Sequence, residues 1–182
     1  MLGLHCHNDF GLALANVFAG VRAGANLVDV TVNGLGDRSG NPSFAEVAIG
    51  LEVLYNVKTG IDLSGIYRLS KEVEEISRIP IPTNRPFVGK YAFTDEHESH
   101  INALQKDPFA CQGIRPESIG NKRLYLLGKF TGPTVLKLKC MELGLALNND
   151  DYPNVIEQIK ALADLHGGMI ADADLIDIVR RL

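Results

Sequence analysis

The stretch His5-Cys6-His7-Asn8-Asp9 is the part of this chain most able to do chemistry. In an extended strand successive side chains alternate faces, so His5 and His7 point one way and Cys6 the other. Two imidazoles side by side are a natural pair of ligands for a divalent cation. A third oxygen or nitrogen ligand must then come from elsewhere. Taken alone, His-x-His is as readily a coincidental surface pair, so its meaning depends on what accompanies it. A second candidate strand carries Thr31 and Asn33 to its C-terminal end, followed by Gly34-Leu35-Gly36-Asp37-Arg38-Ser39-Gly40-Asn41. The Asn41 side-chain oxygen is a further ligand, a support for one, or merely the cap of the next helix. Asp37 and Arg38 either serve the site or pair locally within the loop.

The elements that must position these residues read as α/β. Leu2–His7 is a short strand. Asp9 to Gly24 is a helix with Leu12, Ala15, Ala19 and Val21 at apolar positions and Gly24 as its stop. Leu27–Val32 is a buried strand by its β-branched content. Ser43 and Glu46 have the spacing of a capping box and start a helix that runs to about Tyr55. Residues 1–60 are therefore most simply the C-terminal strands and helices of a (β/α)8 TIM barrel, whose sites form where strand C-termini converge. Residues 61–95 form a linker: a helix capped by Asp62, with Leu63, Ile66, Leu69, Val73 and Ile76 as its core stripe, then an extended segment after Pro80 and Pro82. Residues 96–182 form small, mainly α-helical subdomains. Helices are expected near 96–105, 116–120, 133–146, 153–166 and 172–182, with Gly144 and Gly167 as stops and Asp172 as an N-cap.

This layout is incomplete. A barrel needs eight strands and about 250 residues, whereas only two convincing barrel strands are present. Their bare parallel edges demand cover, so obligate association is expected, either with another chain or with a second copy.

Composition narrows the function. At 46% hydrophobic and 22% charged residues the 182-residue chain can bury a core. A net charge of −4 and the lack of a Lys/Arg block argue against nucleic acid as a partner. No apolar run approaches the roughly 20 residues that span a bilayer, so no membrane partner is expected. Cys6, Cys111 and Cys140 form neither a disulfide framework nor a CxxC knuckle, which fits a reduced, cytoplasmic protein.

Two long motifs then point to a family. His5-Cys6-His7-Asn8-Asp9-Phe10-Gly11-Leu12-Ala13-Leu14-Ala15-Asn16 resembles the H-x-H-N-D-x-G-x-A-x-A-N signature of the isopropylmalate synthase and homocitrate synthase family. Asn33-Gly34-Leu35-Gly36-Asp37-Arg38-Ser39-Gly40-Asn41 resembles that family's N-G-x-G-[ED]-R-x-G-N loop. Phe93-Thr94, Lys106-Asp107-Pro108, Pro116-Glu117-Ser118-Ile119-Gly120 and Leu127-Gly128-Lys129 resemble blocks of the helical subdomains that follow the family's barrel. The match is to the family's C-terminal portion only, without the strands that carry its acidic metal ligand. With a Met start, the chain looks like the omega subunit of a split homocitrate synthase, and a truncated gene would look the same. The ending near Leu182 resembles homocitrate synthases of the nitrogen-fixation type. Related hydroxymethylglutaryl-CoA lyases carry a catalytic Cys in the loop that here has Asp37 and no Cys.

The resemblance implies a metal-dependent acyltransferase of amino-acid biosynthesis that condenses acetyl-CoA with a 2-oxo acid, with 2-oxoglutarate as the expected substrate. His5 and His7 would be metal ligands, Asn41 a ligand or near-ligand, and Thr31 would face the substrate carboxylate. The cation would be magnesium, manganese, zinc or cobalt. Its binding should weaken at acid pH because imidazoles ligate only when neutral. His100 takes the position of the family's acid/base His, reached from a neighbouring protomer. Around it the block reads Phe93-Thr94-Asp95-Glu96-His97-Glu98-Ser99-His100, with Asp95 in place of the first family His and His97 as a shifted rival. Phe130 stands where the family often has His. The partner would be an alpha-type subunit supplying the first barrel strands, or a second copy. The competing expectation is a non-catalytic fragment or regulatory pseudo-subunit.

Overall fold

The computed structural model describes residues 1–182. The chain is helix-rich α/β, with two two-stranded parallel sheets. It divides into two compact units: Met1–Ala92 with Pro116–Lys122, and Phe93–Arg115 with Arg123–Leu182. The expected linker therefore has no independent standing, because most of it packs with the first unit.

In the first unit β1 (Gly3–Leu4) and β2 (Leu27–Val28) pair in parallel, Gly3 opposite Leu27 and Leu4 opposite Val28. Both strands are shorter than their sequences suggest. Each has only one neighbour, and Leu27, expected to be buried, is exposed. The first helix, α1 (Ala13–Arg22), begins four residues later than expected. Asn8 causes this: its Oδ1 accepts the Ala13 N–H at 3.2 Å, closing residues 8–12 into a turn. At the other end the chain leaves α1 through Ala23 and then Gly24, whose φ is +106°. Helix α2 (Phe44–Tyr55) fills its expected range. The capping box does not form, however: the Ser43 hydroxyl is buried without a partner, and Glu46 pairs with Arg85 at 2.7 Å instead. Val17, Val47 and Leu51 form the core between α1, α2 and the strands, with Cys6, Val28 and Val30 packed against it.

Asp62 caps as expected. Its Oδ1 accepts the Ser64 N–H at 3.0 Å and holds a single 3₁₀ turn that leads into α3 (Ile66–Ser77). The core stripe of α3 is shorter than its spacing implies, with Ile66 buried and Ile76 exposed.

The second unit contains a feature that the helical reading misses. Here β3 (Thr94–Asp95) and β4 (Leu124–Tyr125) pair in parallel, too short to show a strand period. Around them pack α4 (Glu98–Lys106), α5 (Pro133–Leu143), α6 (Tyr152–His166) and α7 (Asp172–Arg180). The expected helix at 116–120 is a 3₁₀ turn, Pro116–Ile119, and belongs to the first unit. Gly144 and Gly167 end α5 and α6 with φ of +66° and +68°, a conformation that costs an L side chain about 1 kcal/mol or more. Ile101, Val135, Leu136, Val155, Ile159 and Leu175 are wholly buried and make the core.

Asp172 is not an N-cap. It accepts from Lys139 Nζ at 2.8 Å, while Asp174 reaches back to the Ala171 N–H at 2.8 Å. Burial works against the Lys139 charge, but Asp172 and Glu142 outweigh it and raise the ammonium above its ordinary value. A buried lysine is tolerated here because both carboxylates reach it.

Candidate metal and acid/base site

The expected alternation at His5-Cys6-His7 is present. Cys6 turns into the apolar core of the first unit with Val28 and Val30. His5 and His7 turn the other way, and their Nε2 atoms face each other at 3.2 Å. Their rings meet edge-on, with centroids 5.0 Å apart. Two nitrogens bound at about 2.1 Å and roughly at right angles lie about 3 Å apart, so the imidazole pair fits a shared cation. No third His, Cys, Asp or Glu joins them in a ligand cluster.

Asp29 is the residue that sequence reasoning missed. The Asp29 N–H donates to the Leu4 carbonyl at 2.8 Å, which carries the β1–β2 ladder one step beyond the named strands. Continuing that register by this one step sets Asp29 beside His5, whereas Thr31 forms a parallel bridge to Ser43. The Asp29 Oδ2 lies 3.2 Å from His5 Nδ1. A signal for it was in the sequence, because Asp29 and Thr31 share the spacing of His5 and His7.

The Thr31 Oγ1 is buried with no hydrogen-bond partner in the chain. The Nδ1 of His7 is in the same state. Buried orphan polar atoms are costly, by about 1–3 kcal/mol each. Asn41 is buried beside the strand that carries the histidines, and its Nδ2 donates to the Cys6 carbonyl at 2.8 Å, between the two imidazole residues. Its amide thus ties the glycine loop to that strand, with Oδ1 turned to Gly36. Asn33 is used differently: its Nδ2 donates to the Ser70 carbonyl of α3 at 2.9 Å.

The loop between Asn33 and Asn41 is closed by backbone. Asn41 N–H donates to Gly34 O at 3.1 Å, and Asn8 N–H to Gly40 O at 2.9 Å. A Cβ at Gly36 would collide with the Asn41 side chain, and one at Gly40 (φ +82°) with the Gly34 carbonyl. Arg38 does not pair with its neighbour Asp37. Its Nε and Nη2 reach the two carboxylate oxygens of Asp9 at 2.6 and 3.0 Å. That hydrogen bond holds the Asp9 carboxyl below the usual carboxylate range.

Both motifs, residues 5–16 and 33–41, fall within a single family match. A family model described as HMGL-like matches residues 1–73, and one described as homocitrate synthase post-HMGL domain-like matches residues 87–167. The chain belongs to the isopropylmalate and homocitrate synthase family. Among curated members, a putative (R)-citramalate synthase from Methanopyrus kandleri is 41% identical over 175 residues, 96% of this chain and 34% of that protein. A probable 2-isopropylmalate synthase from Ignicoccus hospitalis is 39% identical across 100% of this chain and 45% of its own length. The homocitrate synthase AksA of Methanothermobacter thermautotrophicus is 39% identical over 159 residues, 87% of this chain and 41% of that protein. The chain thus spans between a third and a half of the length of these synthase-family relatives.

The second unit carries both rival histidines, and its geometry separates them. His97 is the N-cap of α4: its Nδ1 accepts the Ser99 N–H at 3.3 Å and lies 2.9 Å from Ser99 Oγ. The His97 ring also stacks on Phe130, centroids 5.7 Å apart. His97 is thereby committed to structure. His100 is exposed, one turn further along the same surface, with Asp95 Oδ1 4.0 Å from its Nδ1. Of the two it is the imidazole with both nitrogens free of hydrogen bonds.

No helix is long and apolar enough to cross a membrane.

Proposed function

We propose that this chain is part of a metal-dependent synthase that condenses acetyl-CoA with a 2-oxo acid. The convergence of His5 Nε2 and His7 Nε2 at 3.2 Å carries this reading. When bound, the cation would act as a Lewis acid and template for the oxo acid. His5 and His7 would hold it, with Asn41 completing or bracing the set. Thr31 Oγ1, buried and unpaired, would take the substrate carboxylate. His100 would give a proton to the developing alkoxide, working on a neighbouring protomer's centre as the family resemblance implies. Such a role is worth about 10²–10⁴-fold in rate.

The finer assignment is 2-oxoglutarate, giving homocitrate. It is supported by the match of residues 87–167 to the homocitrate synthase post-HMGL domain-like model, because the identities to citramalate, isopropylmalate and homocitrate synthases do not distinguish the oxo acids. We further assign residues 1–60 to the C-terminal part of a TIM barrel whose remaining strands come from an alpha-type chain or a second copy. Exposed Leu2 and Leu27 at the two-stranded sheet support that cover.

The test is to purify the tagged chain from its host, identify every co-purifying polypeptide, and follow CoA release from acetyl-CoA with 2-oxoglutarate and shorter 2-oxo acids. His5→Ala should abolish turnover in the complex, and retained turnover would sink the reading. A second reading, a non-catalytic or regulatory fragment in a reduced cytoplasm, is favoured by Asp95 and Phe130 standing where the family has His. It predicts that an intact synthase works equally well without this chain.

A further inference from the structure

We propose that Asp29 is the positioning residue of the metal ligand His5, fixing the imidazole tautomer that leaves Nε2 free to bind. The inference rests on the metal-centre reading above. A carboxylate accepts hydrogen bonds and donates none, so the 3.2 Å contact between Asp29 Oδ2 and His5 Nδ1 requires the hydrogen to sit on Nδ1. The lone pair of a neutral His5 then lies on Nε2, the atom that faces His7. Free histidine prefers the opposite tautomer, so Asp29 imposes the ligating form before any ion arrives.

Three observations separate this role from others. Asp29 stands behind His5, on the nitrogen turned away from His7, so it acts through the imidazole and is not itself a ligand. Its backbone is clamped by the Leu4 carbonyl at 2.8 Å, so the ladder sets the carboxylate's position. The His5 and Asp29 side chains are 60% and 66% exposed, which makes the pair a poor source of stability. The two histidines also differ: His7 Nδ1 is buried and no residue of the chain pairs with it. His5 is thus set by its own chain, and in the ion-free protein the hydrogen between the two Nε2 atoms belongs to His7.

Two readouts test this on the full chain with any co-purifying partner retained. Long-range ¹H–¹⁵N correlation of histidine-labelled protein should show His5 protonated on Nδ1, and Asp29→Ala should remove that preference. Titration with Co²⁺ followed by visible absorption should show Asp29→Ala binding about 10–100-fold more weakly, Asp29→Glu recovering most of the loss, and His5→Ala losing the site. Thermal denaturation should be the same for the wild type and Asp29→Ala. His5 found with its hydrogen on Nε2 in the wild type overturns the assignment. So does Asp29→Ala binding Co²⁺ like the wild type while His5→Ala does not, and the metal centre then stands without it. Identical, negligible Co²⁺ binding by the wild type and His5→Ala overturns the metal centre itself, and this assignment with it.

Discussion

Arg38 grips both carboxylate oxygens of Asp9, through Nε at 2.6 Å and Nη2 at 3.0 Å, and so joins the turn after His7 to the glycine loop. Arg38 does this from a left-handed backbone conformation, φ +56°. The fork geometry is specific to guanidinium. Arg38→Lys should therefore loosen the loop and raise hydrogen exchange at the Asn8 amide, which donates to Gly40. Turnover of the complex should fall about tenfold or more, while thermal stability should stay close to that of the wild type because the pair is exposed. Unchanged exchange at Asn8 would show that the pair does not hold the loop.

The two histidines of the second unit should separate cleanly. His97→Ala removes a helix cap and should lower the denaturation midpoint with little effect on turnover. His100→Ala should leave stability within about 0.5 kcal/mol and cut turnover by about 10²–10⁴-fold. Denaturation and steady-state rates on the same two variants decide it, and a reversed pattern would move the acid/base role to His97.

Glu98 predicts an acid-sensitive step. Burial raises its carboxyl, but bonds from Thr134 and the Val135 N–H outweigh this and hold it below its ordinary value of 4.5. It is the carboxylate that caps α5, accepting from Thr134 N–H at 2.9 Å. With the folded value lowered, the unfolded chain takes up its proton first as pH falls. This contribution is thus full above the ordinary value and lost as pH drops through the lowered folded one. Urea midpoints measured from neutral pH to about pH 3 should fall less steeply in Glu98→Gln than in the wild type.

Glu46 and Arg85 form a half-buried pair 2.7 Å apart that anchors residues 83–92 to α2. Burial raises the Glu46 carboxyl despite the neighbouring guanidinium. Arg85→Met should strand that carboxylate and cost about 3 kcal/mol. The loss should be largest at neutral pH and shrink in acid, because a raised folded value favours protonation of the folded state as pH falls. Glu46→Gln in the Arg85→Met background should recover much of the loss, and strictly additive losses would show that the two residues do not interact.

The sequence by itself determined the order of helices and the face of the histidines. Both depend on local periodicity: apolar spacing marks α2, α5 and α6, glycine stops end α5 and α6, and the two-residue repeat of a strand sets His5 and His7 on one side with Cys6 opposite. Tertiary structure decided whatever depends on partners distant in the chain. Ser43 and Glu46 have capping spacing, but Arg85, 39 residues away, takes the carboxylate. Arg38 had Asp37 beside it and chose Asp9; Asp172 looked like a cap and answers the buried Lys139. Asp29 came to His5 only through the parallel register of two short strands. His97 and His100 are identical by type, and the Ser99 contacts alone make one of them a cap. A charged or hydrogen-bonding side chain goes to whichever complementary group the packed backbone brings within about 3 Å, and local spacing does not encode that choice.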